Sequence, residues 1–264
     1  MRAVLRVLRG WLLLQVQREL VFRADTLVAL AQSILFAVVM VLFFGVIFGR
    51  VQALAGWTQG EVYVLLGTFY LLQRLEDGLI RRGLMELPTW IERGTLDSLL
   101  TRPGPVPLFA ALSQPRPDRW FGSVPVALLL ILWGFRLGAP WGGALALPAY
   151  LVSVGLSLVL YGLLVFVLVC AAFWITRLYN LYGLLYDFLD LARYPEGIYR
   201  GVAGVLFRTV LPFAVLATFP ARILMGRAAA LPLLAYQVLL IGMGLGVARF
   251  VWHLGLRRYE SASR

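Results

Sequence analysis

Apolar runs long enough to cross a bilayer recur along this chain, and that recurrence leaves few folds open to it. Thr26 to Phe48 is interrupted only by Gln32 and Ser33, Ala144 to Ile175 contains no charged residue, and Ala229 to Trp252 contains one, Arg249. A helix needs about 20 apolar residues to span the hydrocarbon core. Trp57 to Leu72, Trp120 to Phe135 and Gly201 to Phe219 supply three further segments. With 61% hydrophobic residues and a positive mean hydropathy, the expected fold is all-α and integral to the membrane, with six transmembrane helices.

The remaining segments set the expected order and orientation. Residues 1–23 place arginines at 2, 6, 9, 18 and 23 among apolar residues, as in an amphipathic helix lying on the membrane surface. Gln15 to Arg23 breaks the pattern of a cleavable signal peptide, so this segment reads as retained and cytosolic. Spans one and two then occupy 24–74, a polar loop 75–119, spans three and four 120–175, a cytosolic or interfacial segment 176–200, spans five and six 201–253, and a tail 254–264. With both termini inside, the cytosolic segments hold 18 arginines and the outer connections 4: Arg50, Arg136, Arg222 and Arg227. That bias is the one the positive-inside rule requires.

All 24 basic residues are arginine, which excludes a phosphate-binding loop of the Walker type and any Schiff-base lysine. ATP, if used, is bound by another subunit. The net charge of +11 points to anionic membrane lipids and not to nucleic acid, because the arginines flank apolar spans. Cys170 is the sole cysteine and lies in an apolar run, where it reads as a packing residue; His253, the sole histidine, reads as a helix-end residue at the interface. One Cys and one His cannot build a Cys cluster, a His-based metal site or a Ser-His or Cys-His hydrolase.

The loop 75–119 is the polar island of the chain. Pro88 predicts a break, and Trp90 to Leu100 is helix-compatible until Arg102-Pro-Gly-Pro-Val-Pro107 ends it. Trp90, Ile91, Leu96, Leu99 and Leu100 gather on one side, with Glu92, Arg93 and Asp97 elsewhere. Periodicity leaves two readings open: docking into a groove of a soluble partner, or resting on lipid. Tyr179, Tyr182 and Tyr186 form a helical stripe beside Asp187 and Asp190, suited either to anchoring at the interface or to receiving a cation on a translocation path. Arg208, within the fifth span, is costly in hydrocarbon and must face a dimer interior, an acid or the headgroups.

The segments Ile91-Glu-Arg-Gly-Thr-Leu-Asp-Ser-Leu-Leu-Thr-Arg-Pro103, Arg193-Tyr-Pro195 with Ile198-Tyr199, Leu211-Pro-Phe-Ala214 with Phe219-Pro-Ala221, and Gly255-Leu-Arg-Arg-Tyr-Glu-Ser-Ala262 resemble permeases of ABC transporters of the ABC-2 type. The closest resemblance is to a branch long listed as a domain of unknown function, and it covers essentially the whole chain. It implies an exporter subunit in a bacterial inner membrane, paired with a second permease copy, identical or related. An ABC ATPase subunit would carry ATP and Mg, so no cofactor is expected in this chain. It also implies an N-terminal elbow helix, here 1–23, and a cytosolic coupling helix. On this reading Trp90 to Leu100 is that coupling helix: Trp90 and the apolar side rest on the spans, Glu92, Arg93 and Asp97 meet the ATPase, Gly94 permits close approach, and Arg102 ends the contact. Pro212, Pro220 and Pro232 fit either simple kinks or the re-entrant outer segments of that superfamily.

Three other classes compete. Asp77-Gly-Leu-Ile-Arg-Arg82 resembles the opening of CDP-alcohol lipid phosphotransferases, but Arg81 replaces their alanine and the further metal-binding aspartates reduce to Asp97, with Thr101 where another is needed. A structural assembly protein needs no coupling element, and a secondary transporter needs more acids within its spans than this chain offers.

Overall fold

The computed structural model describes residues 23–101, 106–115, 118–175, 183, 187, 190–199, 201–209 and 212–259. Among the described residues there is no strand. The helices are α1 (Arg23–Phe48), α2 (Gln59–Glu76), α3 (Arg82–Glu92), α4 (Asp97–Leu100), α5 (Val106–Ala111), α6 (Asp118–Arg136), α7 (Ala146–Val169), α8 (Gly201–Thr209), α9 (Phe213–Leu224) and α10 (Ala230–Leu256). A π-helical turn, Asp77–Arg81, joins α2 to α3. Three stretches are long and apolar enough to cross a membrane: Leu27–Phe48, Ala146–Phe173 and Ala230–Leu256.

The least apolar of the long helices is the most enclosed. Every residue of α2 from Gly60 to Leu72 is buried, because α6 approaches it without intervening side chains. A Cβ on Gly60 would lie 2.6 Å from the Gly134 carbonyl oxygen, and one on Gly134 would lie 2.5 Å from the Gly60 carbonyl. Backbones that meet this closely gain dispersion contacts that lipid cannot match, which is how helices associate where the hydrophobic effect is silent. Buried polar side chains bond across the same interior. Ser33 donates to Ser123 at 2.9 Å, Ser153 to Gln237 at 2.8 Å, and the Gln237 amide to Ser157 at 2.9 Å. Each such bond contributes about 0.6 kcal/mol within a bilayer.

The helical backbone continues from Gln59 to Glu92, since Glu76, Asp77, Arg81 and Arg82 all keep right-handed helical dihedrals. This rod of two α-helices and one π turn is on the order of 50 Å long. It passes through Pro88, where a break was expected: the proline is buried in α3 and costs the helix one ladder bond, not its direction.

One end of the bundle is built by the loop before α2 and the turn after α9. Glu61 Oε2 accepts the Thr58 backbone N–H at 2.7 Å and faces Arg227 Nη1 at 3.0 Å. Arg227 Nη2 donates to the Gly56 carbonyl at 3.0 Å. Its guanidinium lies 5.2 Å from the Trp57 ring centroid, with that of Arg222 at 5.8 Å. Arg222 pairs with Glu196 at 2.6 Å, and Gly197 packs against Ala55. We call this the loop end; the island end lies opposite, beyond Glu76.

Phe173 meets Tyr259 at the island end, with ring centroids 6.5 Å apart, whereas Glu196 and Gly197 are at the loop end. Among the described residues, 201–219, expected as one span, carry α8 and the first part of α9. Ser157 donates to the Leu216 carbonyl at 2.8 Å, while Arg222 is at the loop end, so α9 climbs from inside the bundle to its rim. Pro212 stands at the α9 start and fixes where that helix begins.

Candidate functional site

The rod carries its most polar tip out of the bundle. Leu84, Leu87 and Ile91 are buried on one side of α3, Trp90 is half-buried, and Glu92 and Arg93 are exposed at its end. Gly94 stops the helix: its φ of 66° is left-handed, its N–H donates to the Ile91 carbonyl at 3.2 Å, and the Thr95 N–H donates to the Trp90 carbonyl at 2.9 Å. That pair is a Schellman motif, which glycine forms without Cβ strain. The single coupling helix expected over Trp90 to Leu100 is thus two pieces, the tip of α3 and the four-residue α4. Gly94 supplies a reversal of direction, a job its expected role in close approach does not describe.

After the reversal, Leu96 is fully buried, and its N–H donates to the Tyr259 hydroxyl at 3.2 Å across 163 positions of sequence. Burial, then the charge of the half-buried Asp97, pushes the Tyr259 phenol up, so it stays protonated at neutral pH. The Tyr259 ring rests on Phe173, Phe173 packs against Trp252 with centroids 5.5 Å apart, and Trp252 meets Phe166 at 5.6 Å. The turn after Gly94 is therefore seated on an aromatic cluster that belongs to α7, the turn that follows it, and α10.

Among the predicted site residues, the structure brings Trp90, Glu92, Arg93, Gly94 and Asp97 together at the tip. Arg102, Tyr179, Tyr182 and Tyr186 lie outside the described residues, as does the expected elbow helix up to residue 22. Arg208 falls on α8, but its side chain is outside them too. Asp190 pairs with Arg193 at 3.2 Å, and the Arg193-Tyr-Pro segment is a turn closed by the Tyr199 hydroxyl donating to the Leu191 carbonyl at 2.7 Å. Three groups escaped sequence reasoning: Tyr259, Trp120 and Glu76. Trp120 Nε1 donates to the Arg74 carbonyl at 3.0 Å, and its indole occupies the space over Gly78. Only the likeness of the C-terminal segment to ABC-2 permeases singled out the neighbourhood of Tyr259.

The segment that suggested a lipid phosphotransferase is committed elsewhere. Asp77 faces Arg81 at 3.2 Å, and Gly78 clears the Trp120 ring. No group of three or more His, Cys, Asp or Glu side chains that could hold a metal occurs among the described residues. Cys170 is buried and free, and His253 is exposed near the end of α10.

No curated protein and no solved structure matches this chain. The family model described as ABC-2 family transporter protein matches residues 34–263, from the middle of α1 to beyond Tyr259, and so takes in the rod, its tip and the aromatic seat. The chain belongs to the ABC-2 family of transporter proteins, as a membrane permease.

Proposed function

We propose that this chain is the membrane subunit of an ATP-driven exporter and that the tip of α3, with the turn and α4 behind it, receives the stroke of a separate ATPase. Two permease copies, identical or related, each meet one ATPase subunit, which holds ATP and Mg. The arginine bias supports a cytosolic tip and cytosolic termini, and the family likeness supports a bacterial inner membrane, with the loop end outside. Five of the six crossings are assigned to α1, α2, α6, α7 and α10 and the sixth to the chain between Phe173 and Glu196, while α8 and α9 form a re-entrant pair entering from outside. Trp90 supports the tip from below, Glu92, Arg93 and Asp97 present charge to the ATPase, and Arg102 ends the segment. Arg208 and the tyrosines 179, 182 and 186 are assigned to the interface between copies or the path of the cargo.

The observation that carries this reading is the continuity of the rod. A displacement applied at Glu92 acts on the same helix whose Gly60 to Leu72 half is wholly buried, and packed interiors shift between arrangements as units. The test is co-purification of the tagged permease in mild detergent, followed by ATPase assay of whatever subunit it retains. Wild-type chain should retain a stoichiometric ATPase. Glu92→Lys and Asp97→Lys should insert normally yet lower permease-dependent ATP hydrolysis by about tenfold, as expected when about 1.4 kcal/mol of coupling is lost. Unchanged hydrolysis in both variants would overturn the assignment.

A further inference from the structure

Helix α10 turns two opposite faces to its surroundings. Gln237, Leu240, Ala248, Trp252 and Gly255 are buried, and a Cβ on Gly255 would run into the Phe173 ring, so that contact fixes how the helix is rotated. Successive residues advance by roughly 100°. Arg249, His253 and Arg257, spaced four apart, therefore share one stripe on the far side from Ala248, Trp252 and Gly255, and all three are exposed.

Arg249 is the unusual member of that stripe. It lies well before the end of α10 at Leu256, about 10 Å deeper along the axis, inside a stretch apolar enough to cross a membrane. A charge there is costly in hydrocarbon and must meet an acid, water or a headgroup. No acid is at hand. Of the elements packed most closely on α10, α7 and the turn Cys170–Phe173 carry no charged residue, and α9 carries only Arg222, which sits at the loop end. Arg249, His253 and Arg257 have no hydrogen bond or ion pair among the described residues. Side chains also lean toward the N-terminus of their helix, which for α10 is at the loop end, so Arg249 leaves its Cα heading away from the island end. A phosphate drawn down to it shortens the reach.

The face beyond Arg249 is shaped to match. Gly242 and Gly246 continue the stripe toward the loop end, both exposed, and a Cβ on either would meet nothing within 4 Å. Leu239 and Phe250 stand exposed on one side of them, Val238 and Leu245 on the other. A shallow apolar groove thus runs down the helix to the cations.

We propose that this face binds one anionic phospholipid of the leaflet at the island end, its phosphate held by Arg249 and His253, with Arg257 beside the headgroup and an acyl chain along Gly246 and Gly242. The phosphate accepts charge-assisted hydrogen bonds from the guanidinium, and His253 keeps a ring N–H to donate in either protonation state. Two arginines favour a lipid of net negative charge, whereas a zwitterionic headgroup would bring its own cation against them. A second copy of the chain is a poorer occupant, because it would have to bring an acid to the depth of Arg249. Among α1, α6, α7 and α10, whose apolar faces are open, the acids are Asp25 and Asp118, both in the first turn of their helices. The site needs no ATPase, so its failure leaves the proposed coupling standing.

The test is native mass spectrometry of the delipidated full chain in detergent, titrated with dioleoylphosphatidylglycerol or with dioleoylphosphatidylcholine. Wild type should take up one phosphatidylglycerol per chain saturably, with a preference of about tenfold or more. Arg249→Gln should weaken that binding about fivefold, as for one arginine at an anionic lipid surface. Arg249→Lys should restore most of it, and Arg249→Gln combined with Arg257→Gln should remove the preference. Arg136→Gln deletes the same charge at an exposed position on the far end of the bundle and should change nothing. Equal affinity for the two lipids, or an equal loss in Arg136→Gln, would overturn the site. So would displacement of the lipid by millimolar glycerol phosphate, since the ligand would then be a free phosphate ester. Loss of a dimer in Arg249→Gln with undiminished lipid binding would overturn it as well, because a second copy would then cover the face. Should Arg249→Gln not fold, the wild-type titration decides, and no saturable preference for phosphatidylglycerol overturns the proposal.

Discussion

At the loop end, Arg222 and Arg227 each face a carboxylate, and both lie against Trp57; at the tip, Glu92 and Arg93 stand exposed on the last turn of the rod. The same residue types serve two purposes, and burial separates them. Glu61 is almost fully enclosed, so its charge is compensated within the chain and fixes three segments to one another. Charges left facing water at Glu92 and Arg93 contribute little to the fold, and that leaves them available for recognition. The backbone shows the same contrast. Near the loop end Gly60 and Gly134 let two helices touch, whereas at the tip Gly94 turns the chain around.

The comparison can be broken most severely at Gly134. Valine there drives side-chain atoms into the Gly60 carbonyl, a backbone group that cannot step aside, and the expected cost of about 3 kcal/mol or more should abolish a monodisperse peak in fluorescence-detected size exclusion. Glu61→Ala comes next. It strands Arg227 and uncaps the first turn of α2, and because Arg227 is one-third exposed the loss should be about 1–3 kcal/mol. A thermal-melt double-mutant cycle with Arg227→Ala should return a coupling near 1 kcal/mol, and strict additivity would show the pair to be incidental. Tyr259→Phe keeps the ring and removes the acceptor for the Leu96 N–H, for about 1 kcal/mol, read as faster amide exchange around 96–101. Glu92→Lys sharpens the contrast from the other side: its unfolding midpoint should correspond to a change within about 0.5 kcal/mol, although the same substitution should impair ATPase coupling.

Local pattern carried the sequence reading a long way. Apolar length predicted α1, α7 and α10, and the family likeness of the island and the C-terminal segment pointed to the two places that meet at Leu96 and Tyr259. What escaped has a common physical origin. Hydropathy reports exposure to lipid or water and is blind to which helix sits at the centre, so α2, with Glu61, Gln73 and Arg74, looked like the weakest span and proved to be the core. Pro88 signals a break by local rules, yet a buried helix can forgo one bond. The end of the rod at Glu92 was foreshadowed only by Gly94. Contacts such as the one between Leu96 and Tyr259 have no periodicity to detect.

The π turn between Glu76 and Arg82 has one consequence for how the two halves of the rod are aligned. Such a turn holds one residue more than α-helical winding requires, and each α-helical residue advances the azimuth by roughly 100°. The wide turn absorbs that residue, so the face that α3 presents depends on whether Asp77–Arg81 stays wide. Rewinding Asp77–Arg81 as α-helix with all five residues kept would leave the helix unbroken but swing Glu92 and Arg93 around the axis by about a quarter turn, aiming them away from any partner fitted to the present setting. Trp120, hydrogen-bonded to the Arg74 carbonyl and seated over Gly78, acts as the key that indexes this rotation.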